Sequence, residues 1–250
     1  VKIAIFIPAY NAARTLPIVL DRIPESLTEK VGEIFVIDNA SPDNTYLIAI
    51  GYREAKNFHK LNVFRNDANR GYGGSQKIAY QYAIDQGYQA VVMLHGDAQY
   101  APEKIPYLLE PIERGEADLV FGSRMTGDPL KGGMPLYRFL GNKLLTAIQN
   151  RVLDMNLTEF HSGFRAFNCL ALKQVPFHLC SDDYHFDTEV IIQFRVAGLR
   201  ILEMPIPTYY GSERSHVNVI QYGLNVLKVT GEYYLHAKGL RRAPKYEVLP

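Results

Sequence analysis

Leu94-His95-Gly96-Asp97-Ala98-Gln99-Tyr100 follows directly on the apolar run Ala90-Val91-Val92-Met93, and the two together decide the fold. A short, uninterrupted apolar block fills a strand buried on both faces, as in a parallel sheet. His95, Asp97 and Gln99 then emerge where that strand ends, and in open α/β sheets ligands gather outside the carboxyl ends of the strands. With the small residues Gly96 and Ala98 as spacers, an imidazole, a carboxylate and an amide can hold one face of a divalent cation that also binds a diphosphate. The alternative is an ordinary polar loop, since Asp and Gly are common turn residues.

Working outward, the same pattern repeats on both sides. Ile3–Ile7 reads as a buried strand closed by Pro8-Ala9-Tyr10-Asn11, with helical spacing from Leu16 to Ile23. Ile34–Ile37 is a second strand, ending in the turn-forming cluster Asp38-Asn39-Ala40-Ser41-Pro42-Asp43 before a helix to about Phe58. Leu61–Arg65 is a third, followed by Asn69-Arg70-Gly71-Tyr72-Gly73-Gly74-Ser75 and a helix to about Gln86. Glycines before a helix can cradle a phosphate or let a base approach closely, or simply make the turn. After the central stretch come a helix over Glu103–Arg114, a strand over Asp118–Phe121 and then Gly122-Ser123-Arg124. Strands alternating with helices predict an α/β fold: a single Rossmann-like domain with a mostly parallel central sheet flanked by helices on both faces. No G-x-G-x-x-G follows the first strand, which argues against a dinucleotide dehydrogenase.

The second half changes character. Thr126–Gly133 is rich in Gly and Pro and reads as a mobile loop. Pro135–Leu153 reads as a helix whose Leu136, Phe139, Leu140, Leu144 and Ile148 form a stripe that suits core or interface better than a membrane anchor. A strand over Gly163–Phe167, a helix opened by His185-Phe186-Asp187-Thr188-Glu189 and a strand over Arg200–Met204 follow. Tyr209–His216 is a polar loop, and Val217–Lys238 a helix with a basic tail to Lys245. That apolar helix with its basic end suits an anionic membrane surface, core packing or a homo-oligomer contact.

With 27 basic and 26 acidic side chains in 250 residues the formal charge is +1, which excludes broad nucleic-acid binding. Any anionic ligand must be met locally. Cys169 and Cys180 have neither metal-ligand spacing nor the density of a disulfide scaffold, which favours a reducing compartment. Val1–Ile7 is too short for a signal peptide and no apolar run reaches about 18 residues, so a cytoplasmic protein, soluble or peripheral on a membrane, is expected.

Six segments in this order, Pro8–Asn11, Asp38–Asp43, Asn69–Gly71, His95–Tyr100, Gly122–Arg124 and Ser162–Phe167, resemble the family-2 inverting glycosyltransferases of the GT-A fold. The branch that is most similar is that of the dolichol-phosphate and polyprenyl-phosphate sugar synthases. The resemblance implies a GT-A domain over residues 1–216, with a nucleotide-sugar half (1–124) and an acceptor half (125–216), followed by a C-terminal helix and tail over 217–250. It implies that Pro8, Ala9, Tyr10, Asn11 and Asp38 line the nucleoside pocket and that Asn69, Gly71 and Gly96 border the donor. Asp97, assisted by Gln99, would hold Mn²⁺ or Mg²⁺ on the donor diphosphate, while Arg124 and Arg138 would meet its phosphates. Where the family carries Asp-x-Asp, this chain has His95. A neutral imidazole can ligate Mn²⁺ or, alternatively, hydrogen-bond a phosphate or orient Asp97. An acidic pair that the family has after its first motif is replaced by Ala12-Ala13.

Three functions stay open on these residues. The first is transfer from a GDP- or UDP-linked sugar to a polyprenyl phosphate, an acceptor already ionised at neutral pH. The second is transfer to a glycan hydroxyl, which requires a base, with Asp187 or Glu189 as candidates; acidic residues in a first helical turn also arise from dipole complementarity alone. The third is a nucleotide-sugar-binding protein without catalysis. In the loop before the last helix, Arg214 or His216 could close over the anion.

Overall fold

Seven strands form one mixed sheet in the computed structural model, which describes residues 2–207 and 218–248. In chain order the elements are β1 (Ile3–Ala9), α1 (Leu16–Asp21), α2 (Glu25–Lys30), β2 (Glu33–Asp38), α3 (Thr45–Ala55), β3 (Leu61–Arg65), α4 (Gly71–Asp85), β4 (Ala90–Met93) and α5 (Ile105–Glu113). They continue with β5 (Leu119–Ser123), α6 (Leu136–Leu153), β6 (Arg165–Asn168), α7 (Cys169–Leu172), α8 (Phe186–Val196), β7 (Ile201–Pro205) and α9 (Val219–Ala237).

The spatial order is β3-β2-β1-β4-β6-β5-β7. The expected mostly parallel sheet is present, with one exception: β6 runs antiparallel to both β4 and β5. Because it is reversed, its beginning lies at the edge where β4 and β5 end, and Met93 and Phe121 both pair with Arg165. That edge therefore receives chain from both directions.

Strand alternation divides the interior into two cores. Ile3, Ile5 and Ile7 of β1 join Leu16, Val19 and Leu20 of α1 and Leu108 and Leu109 of α5 on one face. Ala4 and Phe6 meet Ala79 and Tyr80 of α4 and Val190 and Ile191 of α8 on the other. Each fully buried Ile or Phe contributes about 1.5–3 kcal/mol of transfer free energy.

Three features of the second half go beyond what the sequence reading could state. Thr126–Gly133 forms hydrogen-bonded turns (Gly132 N–H to Asp128 O, 3.1 Å; Met134 N–H to Pro129 O, 2.9 Å) that lead into a buried Met134. The apolar stripe of α6 is not core: Leu136, Leu140 and Leu144 are 60, 56 and 64% exposed, and the helix instead buries Thr146, Gln149 and Leu153. The basic tail is partly tied down, because Lys245 Nζ donates to Glu189 (2.7 Å) and Glu232 (2.8 Å) beside a buried Tyr246. Among the described residues no helix is long and apolar enough to cross a membrane.

Candidate active site

A cleft of about 1660 Å³ opens along the carboxyl edge of the sheet. Pro8, Ala9, Tyr10, Asn11, Asn69, Gly71, His95, Gly96, Asp97, Gln99, Arg124, Arg138 and Asp187 all line it, so residues spread over 180 positions of sequence converge on one space. Asp38 and Glu189 do not. Asp38 is fully buried behind the wall, where Oδ1 accepts from Ser41 N–H (3.1 Å) and Oδ2 lies 3.5 Å from Arg65 Nε; its neighbour Asn39 faces the cleft instead. Glu189 turns away from the cleft and accepts from Lys245 Nζ and Ser181 N–H (2.6 Å). Arg214 and His216 lie outside the described residues.

Three non-glycine residues with left-handed backbone stand where strands end: Asn11 (φ 53°) beyond β1, Ala40 (φ 56°) beyond β2 and Ala98 (φ 65°) beyond β4. For an alanine this conformation costs roughly 1–2 kcal/mol. Next to Ala98, the Gln99 N–H donates to Asp97 Oδ1 (3.0 Å), which fixes the carboxylate toward the cleft with its side chain 42% exposed. Burial raises the pKa of Asp97, but the facing His95 ring in its charged form and the Gln99 N–H lower it by more, so that beside a protonated His95 the group is held below the usual carboxylate range. His95 Nδ1 lies 3.9 Å from Asp97 Oδ2. An imidazole nitrogen and a carboxylate oxygen thus stand side by side at the edge of the cleft, the two groups that would hold a cation there. Among the described residues no cluster of three or more His, Cys, Asp or Glu side chains could hold a metal ion. The protein therefore offers a partial donor set, the kind that a hard cation completes with substrate phosphates and water.

A hydrogen-bonded line runs from this corner to Asp187. His95 Nε2 and the Tyr72 hydroxyl are 3.2 Å apart, and the hydroxyl donates to Asp187 Oδ2 at 2.9 Å. Burial first, and the Asp187 carboxylate second, keep the Tyr72 hydroxyl protonated far above the ordinary tyrosine range. Gln76 Nε2 donates to Asp187 Oδ1 (3.3 Å), and the fully buried Arg165 approaches the same oxygen to 3.8 Å.

The glycines after Asn69 do not form an open anion cradle. Gly73 N–H donates to Asp182 O (2.7 Å), and a Cβ at Gly71 or Gly73 would collide with the backbone of Ser181 and Asp182. Glycine is needed there for close helix-to-loop packing, which brings Tyr72 to the cleft.

Sequence reasoning missed the groups at the start of β6. Glu159, fully buried, accepts from the Arg124 backbone N–H (2.7 Å) and Nε (3.0 Å) and from Asn142 Nδ2 (2.9 Å), and Arg124 also reaches His161 O (3.2 Å). Burial pushes the Glu159 carboxyl up, but Arg124 outweighs it and holds the pKa low. Arg124 is thus aimed by a buried anion. His161 lines the cleft with Nδ1 2.9 Å from the Tyr222 hydroxyl. Burial above all, against the pull of Glu159 and with Arg124 and Arg165, drives its pKa from 6.5 down to about 4. The folded value is the lower one, so this contribution to stability is whole above about pH 6.5 and is lost as pH falls toward 4. We expect the urea midpoint to drop across that window in the parent and to drop less in His161→Gln.

Residues 4–175 match the glycosyl transferase family 2 pattern. The chain belongs to that family. It is 29% identical over 206 residues to an undecaprenyl-phosphate mannosyltransferase of Micrococcus luteus, covering 82% of each chain. It is also 29% identical over 218 residues to a UDP-N-acetylglucosamine–dolichyl-phosphate N-acetylglucosaminyltransferase of Methanococcus voltae, covering 83% of this chain and 86% of that one. Among solved structures, glucosyl-3-phosphoglycerate synthase of Mycobacterium tuberculosis with Mn²⁺, UDP-glucose and phosphoglyceric acid superposes with a TM-score of 0.69 at 21% identity. The match covers 97% of this family-2 chain and 81% of that one, which establishes the shared GT-A fold.

Proposed function

We propose that this glycosyltransferase moves a sugar from a nucleoside-diphosphate sugar to a polyprenyl phosphate, with inversion at the anomeric carbon. The observation that carries this reading is the two-sided character of the cleft. Its polar lining, Tyr10, Asn11, His95, Asp97, Gln99 and Arg124, comes from segments that follow the strands, and its apolar lining, Leu144, Leu145, Ile220, Leu224 and Leu227, from the packed pair α6 and α9. An acceptor with an anionic head and an apolar tail matches such a lining. The names of both sequence relatives point the same way.

In this reading Asp97, with His95 and Gln99, would hold a divalent cation on the donor diphosphate. When bound, that cation supplies charge stabilisation for the departing nucleoside diphosphate. Arg124, oriented by Glu159, adds a fixed positive group to the same corner. Tyr10, Asn11 and Asn39 would border the nucleoside, and Arg138 on α6, which also lines the cleft, would meet the phosphates beside Arg124. A lipid phosphate attacks without a base. A hydroxyl acceptor is the second reading, favoured by one observation: Asp187 lines the cleft while holding the Tyr72 hydroxyl.

The deciding experiment is a matrix of UDP- and GDP-sugars, with and without polyprenyl phosphate, in Mn²⁺ or Mg²⁺, read as released nucleoside diphosphate. Release that depends on polyprenyl phosphate is the expected result. Release that requires a glycan instead, or tight donor binding without any release, overturns the reading.

The exposed α6 stripe also supports a peripheral position on a membrane. Leu140→Glu/Leu144→Glu is expected to reduce sedimentation with anionic vesicles several-fold while leaving the melting temperature nearly unchanged, because both side chains already face solvent.

A further inference from the structure

The line from Asp97 to Asp187 contains a single hydroxyl proton, and that proton decides which way the imidazole is set. The Asp187 carboxylate, beside the Arg165 guanidinium and already receiving Gln76, offers only acceptor sites, so the Tyr72 proton points to it. Toward His95 the Tyr72 oxygen is then an acceptor, and Nε2 must be the nitrogen that donates. With Nε2 as the donor, the one-proton form of the ring carries its lone pair on Nδ1, the atom 3.9 Å from Asp97 Oδ2. These two groups would together hold a cation at this corner.

A second feature serves the same pair. A Cβ at Gly163 would lie 2.7 Å from the Tyr72 hydroxyl and closer still to His95 Nε2, so glycine at that position admits the contact. The edge of the Tyr100 ring, 5.2 Å away between centroids, closes another side of the imidazole.

We infer that Tyr72 is a positioning residue that locks His95 with Nδ1 toward Asp97, and that the resulting nitrogen-plus-carboxylate pair makes this site favour Mn²⁺ over Mg²⁺. The inference rests on the proposed donor site and concerns its cation. The selectivity follows from chemistry: imidazole is a poor ligand for hard Mg²⁺, which prefers oxygen and water, and a better one for first-row transition cations.

The test begins with ¹⁵N NMR of His95 in the metal-free protein at roughly pH 8, above the ordinary imidazole range. We expect a protonated Nε2 and an unprotonated Nδ1 in the parent, and averaged shifts from tautomer exchange in Tyr72→Phe and Gly163→Ala. Mn²⁺ binding, followed by EPR with UDP or GDP present and Mg²⁺ as competitor, should weaken about 10-fold or more in Tyr72→Phe, the usual size of such outer contributions. His95→Asp should narrow the Mn²⁺-over-Mg²⁺ preference by a similar factor. A protonated Nδ1 in the parent overturns the inference, whether as the other tautomer or as imidazolium. Unchanged Mn²⁺ affinity in Tyr72→Phe together with unchanged selectivity in His95→Asp does so as well. The ring shifts are read without donor or acceptor, so they stand apart from failure of the sugar-transfer reading, which appears as absent nucleotide-sugar binding or release.

Discussion

Asp97→Asn is expected to lower nucleoside diphosphate release at least about 100-fold while leaving the fold intact. The amide keeps the size of the side chain and an oxygen for the Gln99 N–H, but it removes the carboxylate's negative charge from the corner where the cation would sit. The side chain is part-exposed, so the melting temperature should move little. Measured by calorimetry, metal-dependent donor binding should weaken in parallel with turnover. If the variant binds Mn²⁺ and nucleotide sugar as tightly as the parent, Asp97 is not the ligand and the proposed donor site is misassigned.

Asp187→Asn separates the two acceptor chemistries. With polyprenyl phosphate as acceptor no proton need be removed, and turnover should fall less than about 10-fold. With a hydroxyl acceptor the loss should reach 10²- to 10⁴-fold, the usual contribution of a general base. Stability responds in either case. The asparagine leaves Arg165 buried without its counter-charge and can satisfy only one of the two donors, Tyr72 and Gln76. Breaking a buried pair in this way costs about 3–5 kcal/mol. Activity must therefore be normalised to the folded fraction, followed by circular dichroism at the assay temperature. A phosphate-acceptor rate that collapses 100-fold in fully folded protein would refute the base-free mechanism.

The central strands β1, β2 and β4 were legible in the sequence because strands buried on both faces are written as apolar runs, whereas β3 and β7, half-exposed at the sheet's two edges, were found from their place between helical segments. Helix α2 was not, since Glu25–Lys30 buries only Leu27 and shows no periodic face. Pattern could name candidate groups at the ends of elements but could not orient them. Asp38 and Asn39 are successive, so their side chains point to opposite sides, and only the second reaches the cleft. Asp187 and Glu189 are two apart on α8, about 200° around the helix, and one alone faces the site. The leucines of α6 have core spacing yet form an open wall, because periodicity reports an apolar face and not what covers it. Glu159 and His161 were missed because the rule used looks at where strands finish, whereas these groups arrive just ahead of the reversed strand β6.

The alanines at positions 40 and 98 carry a longer-term consequence. Glycine would relieve the local tension at either position, yet it would also let the neighbouring side chains wander. The rim thus resembles a sprung frame: a little global stability is exchanged for side chains already aimed before any ligand arrives. Laboratory selection for heat resistance alone would tend to relax these corners and blunt the enzyme.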